Sequence, residues 1–219
     1  MCRVKSFLEI QIRKIEIVIA DMSLETAKCL SKIVLALNDI DIEIAKEVLS
    51  TQEKLKNFDS EAENKYLKII TLQHPVFYDL RYTNACLRIV GDIDRIASQC
   101  IDVCEIIKTE TIDKDLDVLK KTVGMFKLVL KMYEKSLESF FTCDSEKARK
   151  VCVFDDEIDA MFSDIVFNIS SFISNDPKKV ESCTDLMFIT KYAERIADHC
   201  ANIAEWVIYI DSGVHYNLN

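Results

Sequence analysis

The sequence predicts an all-α protein built from two tandem three-helix bundles, with six long antiparallel helices. Three observations support this prediction. Glycine and proline are scarce, with 3 and 2 occurrences in 219 residues, so the chain contains few turns. Long stretches carry apolar residues at helical spacing, as in residues 7–37. A set of side chains also recurs at a distance of about 100 residues, which is typical of a duplicated unit.

The apolar pattern and the polar stretches between the apolar runs place the six helices. The first helix is expected at residues 7–37. Pro75 suits the first turn of the third helix. Asp144 suits the N-cap of the fifth helix, because its carboxylate can accept hydrogen bonds from the first turn. The other expected bounds are 41–72 for the second helix, 75–108 for the third, 116–141 for the fourth, and about 178–210 for the sixth.

The second half of the chain repeats the first half in register. Four side chains of the second helix recur 103 positions later in the fifth: Asp41, Glu43, Ala45 and Val48 return as Asp144, Glu146, Ala148 and Val151. Six side chains of the third helix recur 100 positions later in the sixth: Ile89, Arg95, Ile96, Ala97, Cys100 and Glu105 return as Ile189, Arg195, Ile196, Ala197, Cys200 and Glu205. Chance rarely keeps identities in register over two segments. We therefore expect one three-helix bundle at residues 1–109 and a second at residues 110–219.

The charge and the apolar pattern limit the cellular location and the binding partners that we expect for this protein. A net charge of −9 disfavours nucleic acid and anionic membrane surfaces as direct partners. The first residues are charged and contain no continuous apolar segment, so a signal peptide is not expected. No run of about 18 apolar residues occurs, which argues against a transmembrane helix and against direct membrane insertion. The sequence thus predicts a cytoplasmic protein.

The nine cysteines do not follow a disulfide or zinc pattern. Their number is odd, and no Cys-x-x-Cys occurs. Cys100 and Cys104 are one helical turn apart, but no second thiol pair or nearby histidine completes a tetrahedral zinc site. We expect most of the cysteines to be small buried residues in a reducing cytoplasm.

Two pairs of carboxylates are candidate metal ligands. Asp155 and Asp159 lie four residues apart on the fifth helix, and Glu194 and Asp198 have the same spacing on the sixth. Residues four apart share one face of a helix. If the two helices pack side by side, they bring four carboxylates together. Carboxylate oxygens suit hard or borderline ions such as Mg²⁺, Ca²⁺, Mn²⁺ or Fe³⁺.

The helical wheel of the sixth helix predicts where its carboxylates lie relative to the core. The buried stripe is expected to contain Ala193, Ile196, Cys200, Ile203 and Val207. A polar arc on roughly the opposite side would contain Glu194, Asp198, Asn202 and Glu205. We therefore expect an open metal platform that faces solvent. A chain with 37 acidic residues also produces acid pairs at this spacing on ordinary solvated surfaces, so a helical bundle without any ion is an alternative.

Two acidic motifs, a short Asp-Leu-Arg sequence and the internal repeat make the chain similar to the PhoU family of phosphate-uptake regulators over nearly its whole length. Residues 193–203 read Ala-Glu-Arg-Ile-Ala-Asp-His-Cys-Ala-Asn-Ile, where the family has Leu-Glu-Arg-Ile-Gly-Asp-His-x-x-Asn-Ile. Residues 155–159 match its Asp/Glu-x-x-x-Asp motif, and residues 79–81 match its Asp-Leu-Arg. The resemblance implies a PhoU-like fold of two three-helix bundles. It also implies metal binding by the carboxylates of the acidic motifs, with iron, zinc, manganese or magnesium as candidate ions.

The first unit departs from the family pattern. Gln52 and Lys56 stand at the positions equivalent to the acid pair of the fifth helix. Asp94 keeps the first acid of the third-helix motif, but Ser98 replaces the second. A lysine ammonium and two neutral side chains are poor ligands for a hard cation. We predict one competent metal site in the second unit and a degraded one in the first.

The resemblance also implies a function. Proteins of the PhoU family couple a high-affinity phosphate transporter to a two-component system and restrain phosphate-starvation genes when phosphate is plentiful. The implied partners are the ATPase subunit of the transporter and the sensor histidine kinase, and the sequence leaves open whether the chain forms a homodimer. An accessory protein of a low-affinity phosphate permease is the alternative. A metal-dependent hydrolase is a third hypothesis, but no nucleophile with a matched base and no Gly-rich phosphate loop is evident, so we expect no enzyme.

Overall fold

The computed structural model describes residues 6–214, and this part of the chain contains seven α-helices and no β-strand. The prediction of an all-α fold is confirmed. A 3₁₀ turn at Pro177–Lys179 precedes the last helix. The helices are α1 (Phe7–Asp39), α2 (Ile42–Leu49), α3 (Gln52–Gln73), α4 (Phe77–Ile107), α5 (Asp117–Thr142), α6 (Ser145–Asn175) and α7 (Val180–Ser212).

The helix predicted at residues 41–72 is interrupted at Ser50 and Thr51, so it forms both α2 and α3. Both hydroxyl groups donate a hydrogen bond to a carbonyl of the preceding turn, Ser50 to Glu47 and Thr51 to Val48, each at 2.7 Å. Hydroxyl groups that bond to the nearby backbone compete with the helical ladder. The prediction of one continuous helix is wrong at this point. The equivalent stretch of the second unit continues without a break inside α6.

Equivalent aspartates cap the N-terminus of one helix in each unit. Asp41 and Asp144 are the N-caps of α2 and α6, and their carboxylates accept hydrogen bonds from first-turn N–H groups at 2.9 and 3.0 Å. The predicted role of Asp144 is thus confirmed. Pro75, in contrast, lies outside the first turn of α4, because that helix begins at Phe77 with the extended residue Val76 as its N-cap.

The two units pack side by side through two pairs of helices, α1 with α5 and α4 with α7. Tyr133 of α5 is fully buried at this interface, and its hydroxyl donates a hydrogen bond to the carbonyl of Ser23 in α1 at 3.2 Å. Apolar side chains from all seven helices join in one core. The domain division between residues 109 and 110 stays a prediction, although it falls in the connection between α4 and α5.

Two further expectations concern membranes and cysteines. Between residues 6 and 214, no helix is both long and apolar enough to cross a membrane. The eight cysteines in the same range are all free thiols, and most of them are buried, as predicted. The first five residues, which bear on the signal-peptide expectation, lie outside the described part of the chain.

Candidate metal site

Helices α6 and α7 pack against each other and bring the four predicted carboxylates to one edge of the second unit. Asp155 lies close enough to Asp159, Glu194 and Asp198 for their charges to act on its carboxyl group. The predicted apolar stripe of α7 is buried, which turns the acidic side of this helix toward the edge. Asp155, Glu194 and Asp198 are half-buried, and Asp159 is exposed. The structure therefore groups the four side chains that the spacing indicated.

Negative charge is unfavourable in this carboxylate cluster (Asp155, Asp159, Glu194 and Asp198). Burial raises the pKa of Asp155 to about 6, and repulsion from the neighbouring carboxylates adds to the effect. The pKa of Asp198 is also raised, first by burial and then by the charges of Glu194 and Asp159. These shifts indicate negative charge that nearby cations do not fully compensate. A bound metal ion would supply the missing positive charge.

Lys191, which was not among the predicted site residues, supplies a positive charge beside the cluster. Its Nζ atom lies 2.5 Å from Oε2 of Glu194, whose side chain is 16% exposed. The same ammonium lies 5.2 Å from the ring centre of Phe162. The three-residue spacing between Lys191 and Glu194 was the available signal, because side chains at this spacing are neighbours on a helix. A metal ion that binds Oε2 of Glu194 must displace this ammonium.

The cluster has the donor chemistry of a hard-cation site but not the geometry of one. Among residues 6–214, no three His, Cys, Asp or Glu side chains converge in an arrangement that could hold a metal ion as they stand. The donors are nevertheless four carboxylates on two adjacent helices, which is the ligand type of Mg²⁺, Ca²⁺ or Mn²⁺. Their uncompensated charge also suits a cation. The ligand types therefore suit a hard cation, although the side chains as they stand do not form a metal-binding group within residues 6–214.

Glu205 does not belong to the exposed arc that the helical wheel predicted. Only 4% of this residue is exposed. The reason is that α4, α5 and α6 all pack against α7 and cover several of its faces. The same packing leaves Glu194 and Asp198 half-buried. Three of the four carboxylates are thus partly covered and Asp159 is exposed, so the open metal platform stays a prediction.

In the first unit, the four positions equivalent to the carboxylate cluster line a cavity of about 240 Å³. Gln52 and Lys56 face Asp94 and Ser98 across this cavity, in agreement with the repeat. Burial raises the pKa of Asp94, while the positive charges of Arg95 and Lys56 act in the opposite direction. Lys56 thus places an ammonium where the second unit has a carboxylate. The degraded site in the first unit stays a prediction, and this charge supports it.

Both units match a known family. A family model described as the PhoU domain matches residues 19–107 and 122–207. The chain belongs to the PhoU family. A phosphate-specific transport system accessory protein PhoU homolog from Clostridium acetobutylicum is 30% identical over 185 residues, which cover 84% of each chain. Another PhoU homolog with the same description, from Caulobacter vibrioides, is 30% identical over 163 residues, 74% of this chain and 71% of the relative.

Solved structures of PhoU proteins have the same fold. A crystal structure of PhoU from Pseudomonas aeruginosa superimposes with a TM-score of 0.90 at 22% identity, covering 94% of this chain and 99% of that chain. The phosphate transport system regulatory protein PhoU from Streptococcus pneumoniae gives a TM-score of 0.88 at 20% identity, covering 96% and 99%. The predicted PhoU-like fold is confirmed.

In this PhoU-family protein, the effect of Asp155 on stability is expected to depend on pH when metal is absent. A carboxyl group with a raised pKa, here about 6, destabilises the folded state when it is charged. This unfavourable contribution is complete above the folded pKa and is lost as the pH falls toward the unfolded value of about 3.9. Asp155→Asn should therefore melt above the wild type at about pH 7.5, and the difference should be clearly smaller near pH 4.5. Thermal melting in chelator measures this, and an equal difference at both pH values would contradict it.

Removal of the Lys191 charge is expected to strengthen metal binding. In Lys191→Met, Glu194 is released from its ion pair, and the repulsion between the ammonium and the incoming ion disappears. We expect the affinity for Mn²⁺ to be about 3–10-fold higher than in the wild type, because one positive charge near a partly solvated cation site is removed. Calorimetric titration of the metal-free protein measures this. Lys127→Met, at an exposed position of α5, is the control and should bind as the wild type does. Weaker binding by Lys191→Met would show that the lysine assists the site.

Proposed function

We propose that this protein is a regulator of phosphate uptake that couples a phosphate transporter to two-component signalling and restrains phosphate-starvation genes when phosphate is plentiful. The main support is that both units match the PhoU domain. The relatives from C. acetobutylicum and C. vibrioides are named as accessory proteins of phosphate-specific transport. The sequence of the first relative aligns with 84% of this chain and 84% of its own length, so the similarity extends through both units.

The proposed regulator acts through protein contacts and has no catalytic role of its own. Its partners are the ATPase subunit of the transporter and the sensor histidine kinase. Both of these use cytoplasmic ATP, which places this protein in the cytoplasm as well. Asp155 and Asp159 on α6, with Glu194 and Asp198 on α7, would hold a metal ion at the edge of the second unit. The ion would neutralise their repulsion, and the four side chains would then hold the two helices in one relative position.

Deletion of the gene in the source organism tests this proposal. We expect a phosphate-starvation reporter to rise several-fold in phosphate-rich medium, and a plasmid copy of the gene should restore repression. Phosphate uptake is measured in the same cells. An unchanged reporter with reduced low-affinity uptake would instead support an accessory role for a phosphate permease. A deletion that alters neither reporter nor uptake would contradict a role in phosphate regulation.

A further inference from the structure

A groove of about 590 Å³ lies between α3, α4 and α7, and none of the four clustered carboxylates lines it. Its walls are formed by residues 59–66 of α3, 84–95 of α4 and 199–206 of α7, so both units contribute. The α3 and α7 walls are each about two helical turns or roughly 10 Å long, and the α4 wall is about three turns long. The groove is therefore a feature of the packed chain, with the length of a short helix. The residues that line it include Asp59, Glu63, Arg88, Gly91, Arg95 and Trp206.

Two walls of the groove carry side chains of opposite charge that are unpaired within the described residues, whereas Asp92 of the α4 wall contacts His199 and Asn202 of α7. Arg88 and Arg95 are exposed on α4, two turns apart. The guanidinium of Arg88 lies 5.9 Å from the ring centre of Trp206. On α3, Asp59 is half-buried and Glu63 is exposed. Within residues 6–214, none of these four charged groups forms an ion pair. Both charged walls are thus available to an external partner, and complementary charges are what orient one protein on another.

Gly91 lies between the two arginines in the middle of α4. It is exposed, and a Cβ atom at this position would have no heavy atom within 4 Å. Packing inside the chain therefore does not require glycine here. Glycine also weakens a helix relative to alanine, so its presence in the interior of α4 has a cost. What it provides is close approach of another backbone to the floor of the groove.

The groove has a fixed width on the side where the two units meet. Oδ1 of Asp92, on α4, lies 2.9 Å from Nδ1 of His199, on α7. The same oxygen accepts a hydrogen bond from Nδ2 of Asn202 at 3.2 Å. These contacts join the first unit to the second beside the groove. A partner would therefore meet a preformed surface and would not have to order it.

We propose that this groove is the docking site for a helix of a partner protein, with basic side chains along the edge that faces α3 and acidic side chains along the edge that faces α4. The inference rests on the proposed function, because it locates a contact through which the regulator would act. A helix is favoured over a small ligand, since a small-molecule pocket encloses most of its ligand, whereas this groove has exposed charged residues along its length. Laying a helix into a groove of matching length is a common mode of recognition.

Binding assays with the two proposed partners test the groove. The probes are the purified transporter ATPase subunit and the purified cytoplasmic part of the sensor kinase, titrated by calorimetry. Three variants alter the groove: Gly91→Leu fills its floor, Arg95→Glu reverses one wall, and Glu63→Lys reverses the other. We expect each to weaken binding of at least one partner by about 10-fold or more, as for charged and central positions of an interface.

Matched variants outside the groove keep this test specific. Ser171→Leu adds an exposed leucine on α6, and Lys127→Glu reverses an exposed charge on α5; both should bind as the wild type does. Circular dichroism melting shows that each variant is folded. If the wild type and all three groove variants bind equally well, the groove is not the docking site, and the proposed function is unaffected. If the wild type binds neither partner, both are contradicted. If the groove variants change the oligomeric state and not partner binding, a second copy of the chain is the occupant and the proposal is wrong.

Discussion

Changing Asp155 and Asp198 together to asparagine is expected to weaken metal binding by more than about 100-fold, because even the loss of an outer-shell partner costs about 10–100-fold. The double variant loses one carboxylate from α6 and one from α7, so no pair of charged ligands on one helix stays intact. It also removes two half-buried negative charges, which burial and mutual repulsion disfavour. The variant should therefore fold at least as well as the wild type without metal. Metal content after purification without chelator, and calorimetric titration with Mn²⁺, measure the loss.

The control for this experiment is a second acid pair with the same spacing. Glu43 and Glu47 lie four residues apart on α2, and each is exposed and forms an ion pair with a lysine. Changing both to glutamine removes the same amount of charge without touching the cluster, and metal binding should be unchanged. Wild-type affinity in the Asp155/Asp198 variant would contradict the site. A loss of metal on changing Asp94 to asparagine would show that the first unit also binds metal.

The helices could be predicted largely because helical geometry is local. The apolar stripe of α7 was correct, since a repeat of 3.6 residues fixes which side chains share a face. The break at Ser50 and Thr51 was missed because the apolar pattern continues across it. There the outcome depends on two hydroxyl groups that bond to carbonyls of the preceding turn. A residue pattern that both a continuous and a broken helix can satisfy does not distinguish them.

The sequence predicts only those features of the candidate site that depend on the spacing of residues within one helix. The spacing of Glu194 and Asp198 places them on one face of α7 whatever surrounds that helix. The burial of Glu205 depends instead on three other helices that pack against α7. The contact between His199 and Asp92 joins residues 107 positions apart in different units. Contacts of this kind follow from how the units pack, and no spacing within either segment indicates them.

Changing Tyr133 to alanine is expected to lower the free energy of unfolding by about 3–5 kcal/mol, as for other large buried aromatic side chains. Tyr133 is fully buried where α5 of the second unit meets α1 of the first. Its removal leaves a cavity at the contact between the units, and the surrounding helices can close it only in part. Because the residue bridges both units, the loss should appear in both. Urea denaturation followed by far-UV circular dichroism, and by the fluorescence of the single tryptophan, Trp206 in α7, measures this.

Tyr133→Phe is the matched control, because it keeps the ring and removes only the hydroxyl. That hydroxyl donates one hydrogen bond, to the carbonyl of Ser23 at 3.2 Å, so the expected cost is about 1 kcal/mol. The alanine variant should shift the transitions seen by circular dichroism and by Trp206 together. If only the fluorescence transition moves, the second unit unfolds without the first, and their interface contributes little to stability. Equal losses in the phenylalanine and alanine variants would show that the hydrogen bond, and not the buried ring, holds α5 against α1.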